Sequence, residues 1–301
     1  MDVADNQLNK PGVINLFKRF FRFESLVIQL FFCHRANIHC NNLIVNCNFN
    51  ISTSFKNMGF GAFAGNHNKE SKIHPEVDMS KLTIYGNIIC PFVRRVLLVL
   101  AQKNIQYNFI GIDLFNKPDW FLEMFPNGKV PVLKDGDKVI PESLIIVNYL
   151  DDVYPPSVHP SDPYEKAKGS LIVDEIGTPL FTPCLYKCLK DKSLSLEDKL
   201  KGINEMFIKI ESLLEKKKTK YFQTDDKPVY SDYMVWPFLE TTISVSRWLN
   251  HPTINSVESV KALYPSVGKY MQLMYEDPAV KKVSPDYDTF ETYYNGLVGK
   301  N

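Results

Sequence analysis

Residues 89–95 read Ile89-Cys90-Pro91-Phe92-Val93-Arg94-Arg95, and the turn ahead of them is Gly86-Asn87. A proline directly after a cysteine fits the first position of a helix, where a missing N–H costs no hydrogen bond. Apolar residues at 92, 93, 96, 97 and 100 then recur at helical spacing. The run Lys81-Leu82-Thr83-Ile84-Tyr85 is rich in strand formers and closes at the turn. Strand, turn and helix therefore follow in order, with Cys90 at the cap of the helix.

The alternation continues outward. Gln106–Ile112 reads as a second strand, and Pro118 opens a short helix through Glu123. Val130–Leu133 and Lys138–Ile140 flank Asp135-Gly136, a strong hairpin signal. Pro141-Glu142-Ser143 starts another helix through Tyr149. The order β-α-β-α-β-β-α defines a small α/β domain over residues 79–156, and prolines 155, 156 and 160 end it. From 163 to 301 the strong segments are helical: 164–190, 195–217, 231–249, about 259–275 and a Tyr-rich tail. An all-α domain is expected there.

Residues 1–78 differ. They are rich in Asn and Phe without a period and end in the polar stretch Gly65–His74, which predicts either a disordered extension or a misassigned start, with Met58 or Met79 beginning the native protein. Leu16–Phe23 is basic and aromatic like a targeting segment, but Asp2, Asp5 and Glu24 flank it and serines are few. Cys33, His34, His39 and Cys40 are zinc-ligand types without the separation of a finger, so no metal is expected.

The whole chain narrows the partners. With 35 basic and 34 acidic side chains the net charge is +1, so no field attracts nucleic acid or an anionic membrane. The six cysteines are irregularly spaced in a chain of 301 residues, which argues for free thiols in a reducing, cytoplasmic compartment. The longest apolar run, Leu26–Cys33, is too short to span a bilayer.

At a helix N-terminus the free backbone N–H groups point at the cap, so Cys90 is expected to be an acidic, reactive thiol, with Arg94 and Arg95 adding positive potential. The alternative is a small packing residue. Making the thiol a hundredfold more acidic takes about 2.7 kcal/mol, whereas a helix terminus supplies about 0.3–1 kcal/mol, so direct N–H bonds to sulfur must contribute. Such a thiol gains less as a nucleophile than as a leaving group. Val93 stands where a second cysteine would complete Cys-x-x-Cys, so any resolving thiol comes from outside. Cys184 and Cys188, one helical turn apart, read as core residues.

Two further pairs bear on Cys90. Val130-Pro131 is either a cis peptide presenting backbone groups to an extended ligand or an edge-strand proline. Glu142-Ser143 is either a helix cap or a grip on an amino-acid end, with Glu142 taking the ammonium and Ser143 and the helix start taking the carboxylate.

Together, residues about 80–295 resemble the omega-class glutathione transferases. The resemblance rests on Ile89-Cys90-Pro91-Phe92, Asn116–Trp120, Gly128–Leu133, Glu142-Ser143, Tyr149–Asp152, Asp162–Lys166, Asp232–Pro237 and Tyr275–Val280. It implies a thioredoxin-like glutathione-binding domain, an all-helical acceptor domain, and a homodimer. It further implies Cys90 as the catalytic residue, forming a mixed disulfide with glutathione in thioltransferase and dehydroascorbate reductase chemistry. Phe92, Lys117, Val130, Glu142 and Ser143 would bind glutathione, Pro131 would be cis, and Tyr287 and Tyr294 would line the pocket for a small oxidised or electrophilic acceptor. Conventional conjugation and a non-enzymatic protein similar to the chloride intracellular channels are the alternatives, and a first-strand tyrosine, Tyr85, would matter to the former. One departure is Val229 three residues before Asp232, where the family has Ser or Thr, which breaks a helix-capping box.

Overall fold

The computed structural model describes residues 66–298. Strands β1 (Leu82–Gly86), β2 (Tyr107–Gly111), β3 (Val132–Asp135) and β4 (Lys138–Pro141) form one sheet in the order β2-β1-β3-β4. β1 runs parallel to β2 and antiparallel to β3, which pairs antiparallel with β4 across the Asp135–Lys138 turn. The parallel pair is joined by helix α1 (Pro91–Gln102), and α2 (Asp119–Met124) and α3 (Ser143–Val153) complete the domain. This is the thioredoxin-like arrangement expected.

α1 is a shared core element. Its residues Val93 to Leu100 are all buried, because it packs on α3 in its own domain and on two helices of the second. Gly86 makes its close seat on the sheet feasible: a Cβ there would lie 2.6 Å from Val93 Cγ1. The opposite sheet face carries a separate aromatic cluster of Tyr85, Trp120, Phe121 and Phe125.

The second domain is helical. α4 (Pro163–Ile172) passes through a π-helical turn, Val173–Gly177, into α5 (Thr178–Lys190), so the segment expected at 164–190 is one run with a bulge. α6 (Leu196–Glu215) and α7 (Tyr230–Trp248) follow. The helix expected at about 259–275 is two, α8 (Val257–Leu263) and α9 (Pro265–Glu276), because Pro265 starts a new helix. α10 (Pro278–Val283) and α11 (Tyr287–Val298) end the fold, the latter formed by the Tyr-rich tail.

The expected disordered extension needs correction at its end. Residues 1–65, with the Cys33–Cys40 cluster and Leu16–Phe23, lie outside the described residues. Residues 66–78, however, lie along the sheet edge and over its aromatic face. His67 N–H donates to Gly111 O at 2.8 Å and Asp113 N–H to His67 O at 2.9 Å. Trp120 Nε1 donates to Ser71 O at 3.0 Å, and His74 Nε2 meets the Tyr85 hydroxyl at 2.9 Å. The polar composition is compatible with order because its hydrogen bonds are made to an existing edge.

The broken capping box at α7 is also corrected. Asp232 lies fully buried, and its carboxylate accepts from Val229 N–H and from Phe222 N–H, both at 2.9 Å. Half of the box therefore survives without a Ser or Thr cap. Burial holds the Asp232 carboxyl up at about 6, against those bonds. The sign follows: between its ordinary value near 4 and about 6 the folded state binds the extra proton, so stability falls as pH rises through that window. Asp232→Ala is expected to cost about 2–4 kcal/mol at pH 7 by orphaning two buried N–H groups. Urea midpoints measure this, and the variant should also lose the decline between pH 4 and 6.

Candidate active site

Cys90 is the N-cap of α1, with φ −71° and ψ 119°, and Pro91 is the first helical residue. The turn that delivers it is pinned by buried Asn87. Its Oδ1 accepts from Ile89 N–H at 3.1 Å, its Nδ2 donates to Ile112 O at 3.0 Å, and its carbonyl accepts from Cys90 N–H at 2.9 Å. A polar residue between a strand and a Cys-Pro helix start could have been singled out from the sequence on that ground.

The thiol is half-buried in a cleft of about 490 Å³. The cleft brings together Cys90, Phe92, Lys117, Val130, Pro131, Glu142 and Ser143 from the first domain. The Val130–Pro131 peptide is cis, and the β1–β3 ladder begins only at Val132. Lys117 Nζ donates to Leu114 O at 2.6 Å. Phe92 packs edge-on against Phe238 at 5.0 Å between ring centres, which joins the site to α7.

Glu142 sits at the start of α3 with φ 69°, a left-handed conformation that a side chain adopts only where its surroundings impose it. The turn leaves its carboxylate exposed beside the cleft, 4.0 Å from Lys129 Nζ, and sends Ser143 inward to 5% exposure.

The helical domain supplies the far wall. Thr182, Leu185, Tyr186 and Leu189 form one face of α5, Phe238 and Thr241 come from α7, and Tyr293, Tyr294 and Leu297 from α11. Tyr294 is fully buried, and among the described residues its hydroxyl has no hydrogen-bond partner. Tyr287, expected here, is not among the lining residues: its ring lies under the Arg247 guanidinium at 3.7 Å. Tyr293, which sequence reasoning missed, is at the cleft instead, its ring 5.6 Å from Phe115.

The acidity expected of Cys90 is reversed. Burial pushes the thiol up, and the N–H groups of Val93 and Phe92 with the charges of Arg94 and Arg95 offset this only in part. Both arginines are themselves buried, at 1% exposure, and Arg94 is paired with Glu240. Cys90 is thereby less acidic than the helix start alone implies, which makes its thiolate a stronger nucleophile and a poorer leaving group.

Other candidate groups lie elsewhere. Tyr85 is buried, held by His74, and absent from the cleft wall. Cys184 and Cys188 also lie off the cleft. The Cys188 sulfur faces Lys199 O at 3.8 Å, and a Cβ on Gly202 would stand 3.9 Å from the Cys184 sulfur. Among the described residues no cluster of three or more His, Cys, Asp or Glu side chains is placed to hold a metal, and no helix is long and apolar enough to cross a membrane.

Comparison with known proteins places this geometry. The family model for the glutathione S-transferase N-terminal domain matches residues 84–158. Pig glutathione S-transferase omega-1 is 34% identical over 204 residues, 66% of this chain and 78% of the relative. The mouse omega-1 protein is 31% identical over 223 residues, 73% and 87% of the two chains. Among solved structures, a tau-class glutathione S-transferase from mango matches with a TM-score of 0.60 and 27% identity, covering 73% of this chain and 100% of that one. The chain belongs to the glutathione S-transferases, in their omega class.

The rate of Cys90 alkylation by iodoacetamide, followed by mass, should climb with pH and reach half its maximum above the ordinary cysteine value of about 8.5. A half-maximum below pH 7 would show instead that the helix start outweighs burial.

Proposed function

We propose that the protein is a glutathione-dependent thioltransferase and dehydroascorbate reductase that works through Cys90. One observation carries the reading: the Cys90 thiol shares its cleft with Lys117, the backbone at Val130, and the Glu142-Ser143 pair. These groups suit an extended peptide with an amino-acid end. Glu142 offers a carboxylate to an ammonium, Ser143 and the start of α3 offer donors to a carboxylate, and Lys117 offers a cation to the glycyl carboxylate.

The cycle balances with glutathione as the sole reductant. The Cys90 thiolate attacks a glutathione mixed disulfide at the glutathione sulfur, the bond to the acceptor sulfur breaks, and that sulfur leaves as a thiol after taking a proton. A second glutathione thiolate attacks Cys90-S-S-glutathione, releasing oxidised glutathione and the Cys90 thiolate. With dehydroascorbate, Cys90 adds to a carbonyl. One glutathione then displaces ascorbate to form the same mixed disulfide, and another resolves it.

Conjugation to electrophiles draws no support from Tyr85, which hydrogen-bonds His74 away from the cleft. The assembly we propose is a homodimer working in a reducing, cytoplasmic setting, where Cys90, Cys184 and Cys188 stay free, as they are here.

Incubation with oxidised glutathione should add one glutathionyl group, on Cys90. Cys90→Ala should lower the rate of glutathione-dependent reduction of dehydroascorbate and of a simple disulfide by at least about a hundredfold while the far-ultraviolet circular dichroism is kept. A variant that retained the parent rate on both acceptors would remove Cys90 from the mechanism.

A further inference from the structure

Helix α1 carries two adjacent guanidiniums into the interior, and their surroundings differ. Arg94 meets the Glu240 carboxylate, Thr241 Oγ1 and Pro237 O. Arg95 is equally buried, at 1% exposure, yet no carboxylate among the described residues pairs with it. Its Nε donates to Met234 O at 2.8 Å, while Nη1 and Nη2 reach Ser143 Oγ at 3.4 Å and Thr178 Oγ1 at 3.5 Å. Its flat face lies 4.5 Å over the Phe238 ring. These partners are neutral oxygens and a ring, and none of them compensates its charge, although buried charges are as a rule paired.

The contact with Ser143 directs that charge to the cleft. A guanidinium has donors only, so Ser143 Oγ must accept, and its own proton is left to be donated elsewhere. Among the described residues no hydrogen bond takes that proton, and Ser143 forms part of the cleft wall. Ser143 is also the first residue of α3, whose N-cap, Glu142, makes no side-chain bond to the open N–H groups of the first turn. A fixed hydroxyl donor, an uncapped helix start and an unpaired cation behind them converge on one position. That position calls for an anion.

We propose that Arg95 is a positioning residue for the ligand's α-carboxylate. It fixes the Ser143 hydroxyl as a donor and holds in reserve the buried positive charge that the γ-glutamyl carboxylate of glutathione completes. This rests on reading the cleft as a glutathione site. It goes beyond that reading in assigning carboxylate recognition to a side chain that does not line the cleft.

Calorimetric titration with S-methylglutathione, and with its analogue in which the γ-glutamyl α-carboxylate is a neutral carboxamide, tests it. The wild-type protein should prefer the acid by about ten- to a hundredfold, the range of a charge-assisted hydrogen bond. Arg95→Met should remove most of that preference by weakening the acid alone, and Arg95→Lys should restore part of it. Should Arg95→Met fail to fold, Arg95→Gln is read by the same ratio. Equal weakening of both ligands, or an unchanged preference, overturns the proposal, as does a shift in the Cys90 alkylation profile with the preference intact. A wild-type protein that binds both ligands equally overturns this inference alone. One that binds neither overturns the glutathione site with it.

Discussion

The buried ion pair between Arg94 and Glu240 is the constraint on which the cleft depends. Two charges leave water at the contact of α1 and α7, and Thr241 and Pro237 take further donors of the guanidinium. Removing one partner of such a pair typically costs about 3–5 kcal/mol, because the other is left charged and unsolvated. Burial pushes the Glu240 carboxyl up and Arg94 pulls it down, so the pair is tuned by two opposed effects. Its geometric result is that α1 cannot turn about its axis. Cys90, one helical turn before Arg94, is therefore held in the cleft that Ser143 and the α7 residues Phe238 and Thr241 also line.

Much of this was legible in the sequence, and the parts that were not share a cause. The strand and helix order, the hairpin at Asp135-Gly136 and the helix start at Cys90-Pro91 are local signals, each decided by the chain's own dihedral preferences and periodicity. The burial of Arg94 and Arg95 is not local. The two arginines read as positive potential beside Cys90, but that α7, far along the chain, would bury them and pair Arg94 with Glu240 has no local signal. The reduced acidity of Cys90 is likewise not local: the first turn favours its thiolate, and burial in the folded chain opposes it. Tyr287 and Tyr294 are two helical turns apart on α11, so spacing alone puts both on one side. Arg247 captures the first ring, and Tyr293 is left to meet Phe115 at the cleft.

The stretch before β1 shows how composition misleads at an edge. β2 is an outer strand with one row of backbone groups open, and such edges invite unwanted pairing. His67 closes part of that row by a parallel bridge to Ile112, while His74 and Val77 cover the aromatic cluster. These contacts need few apolar residues, so a polar, asparagine-bearing segment can make them. The opposite edge, β4, is left with an exposed Val139 beside Lys138.

The π-helical turn at Val173–Gly177 has a bearing on how this chain can change length. A π turn holds one residue more than the α-helix around it, often near functional sites. Each residue turns an α-helix by about 100°, but the wider turn already absorbs its extra residue, so losing one here would restore regular winding and leave α5 facing the cleft nearly as before. Thr182, Leu185, Tyr186 and Leu189 would then keep their places on the cleft wall. Gly177, the last residue of the bulge, is where a Cβ would stand 2.9 Å from Arg95 Nη2. In this stretch the kind of residue at Gly177 is therefore constrained more strictly than the number of residues around it.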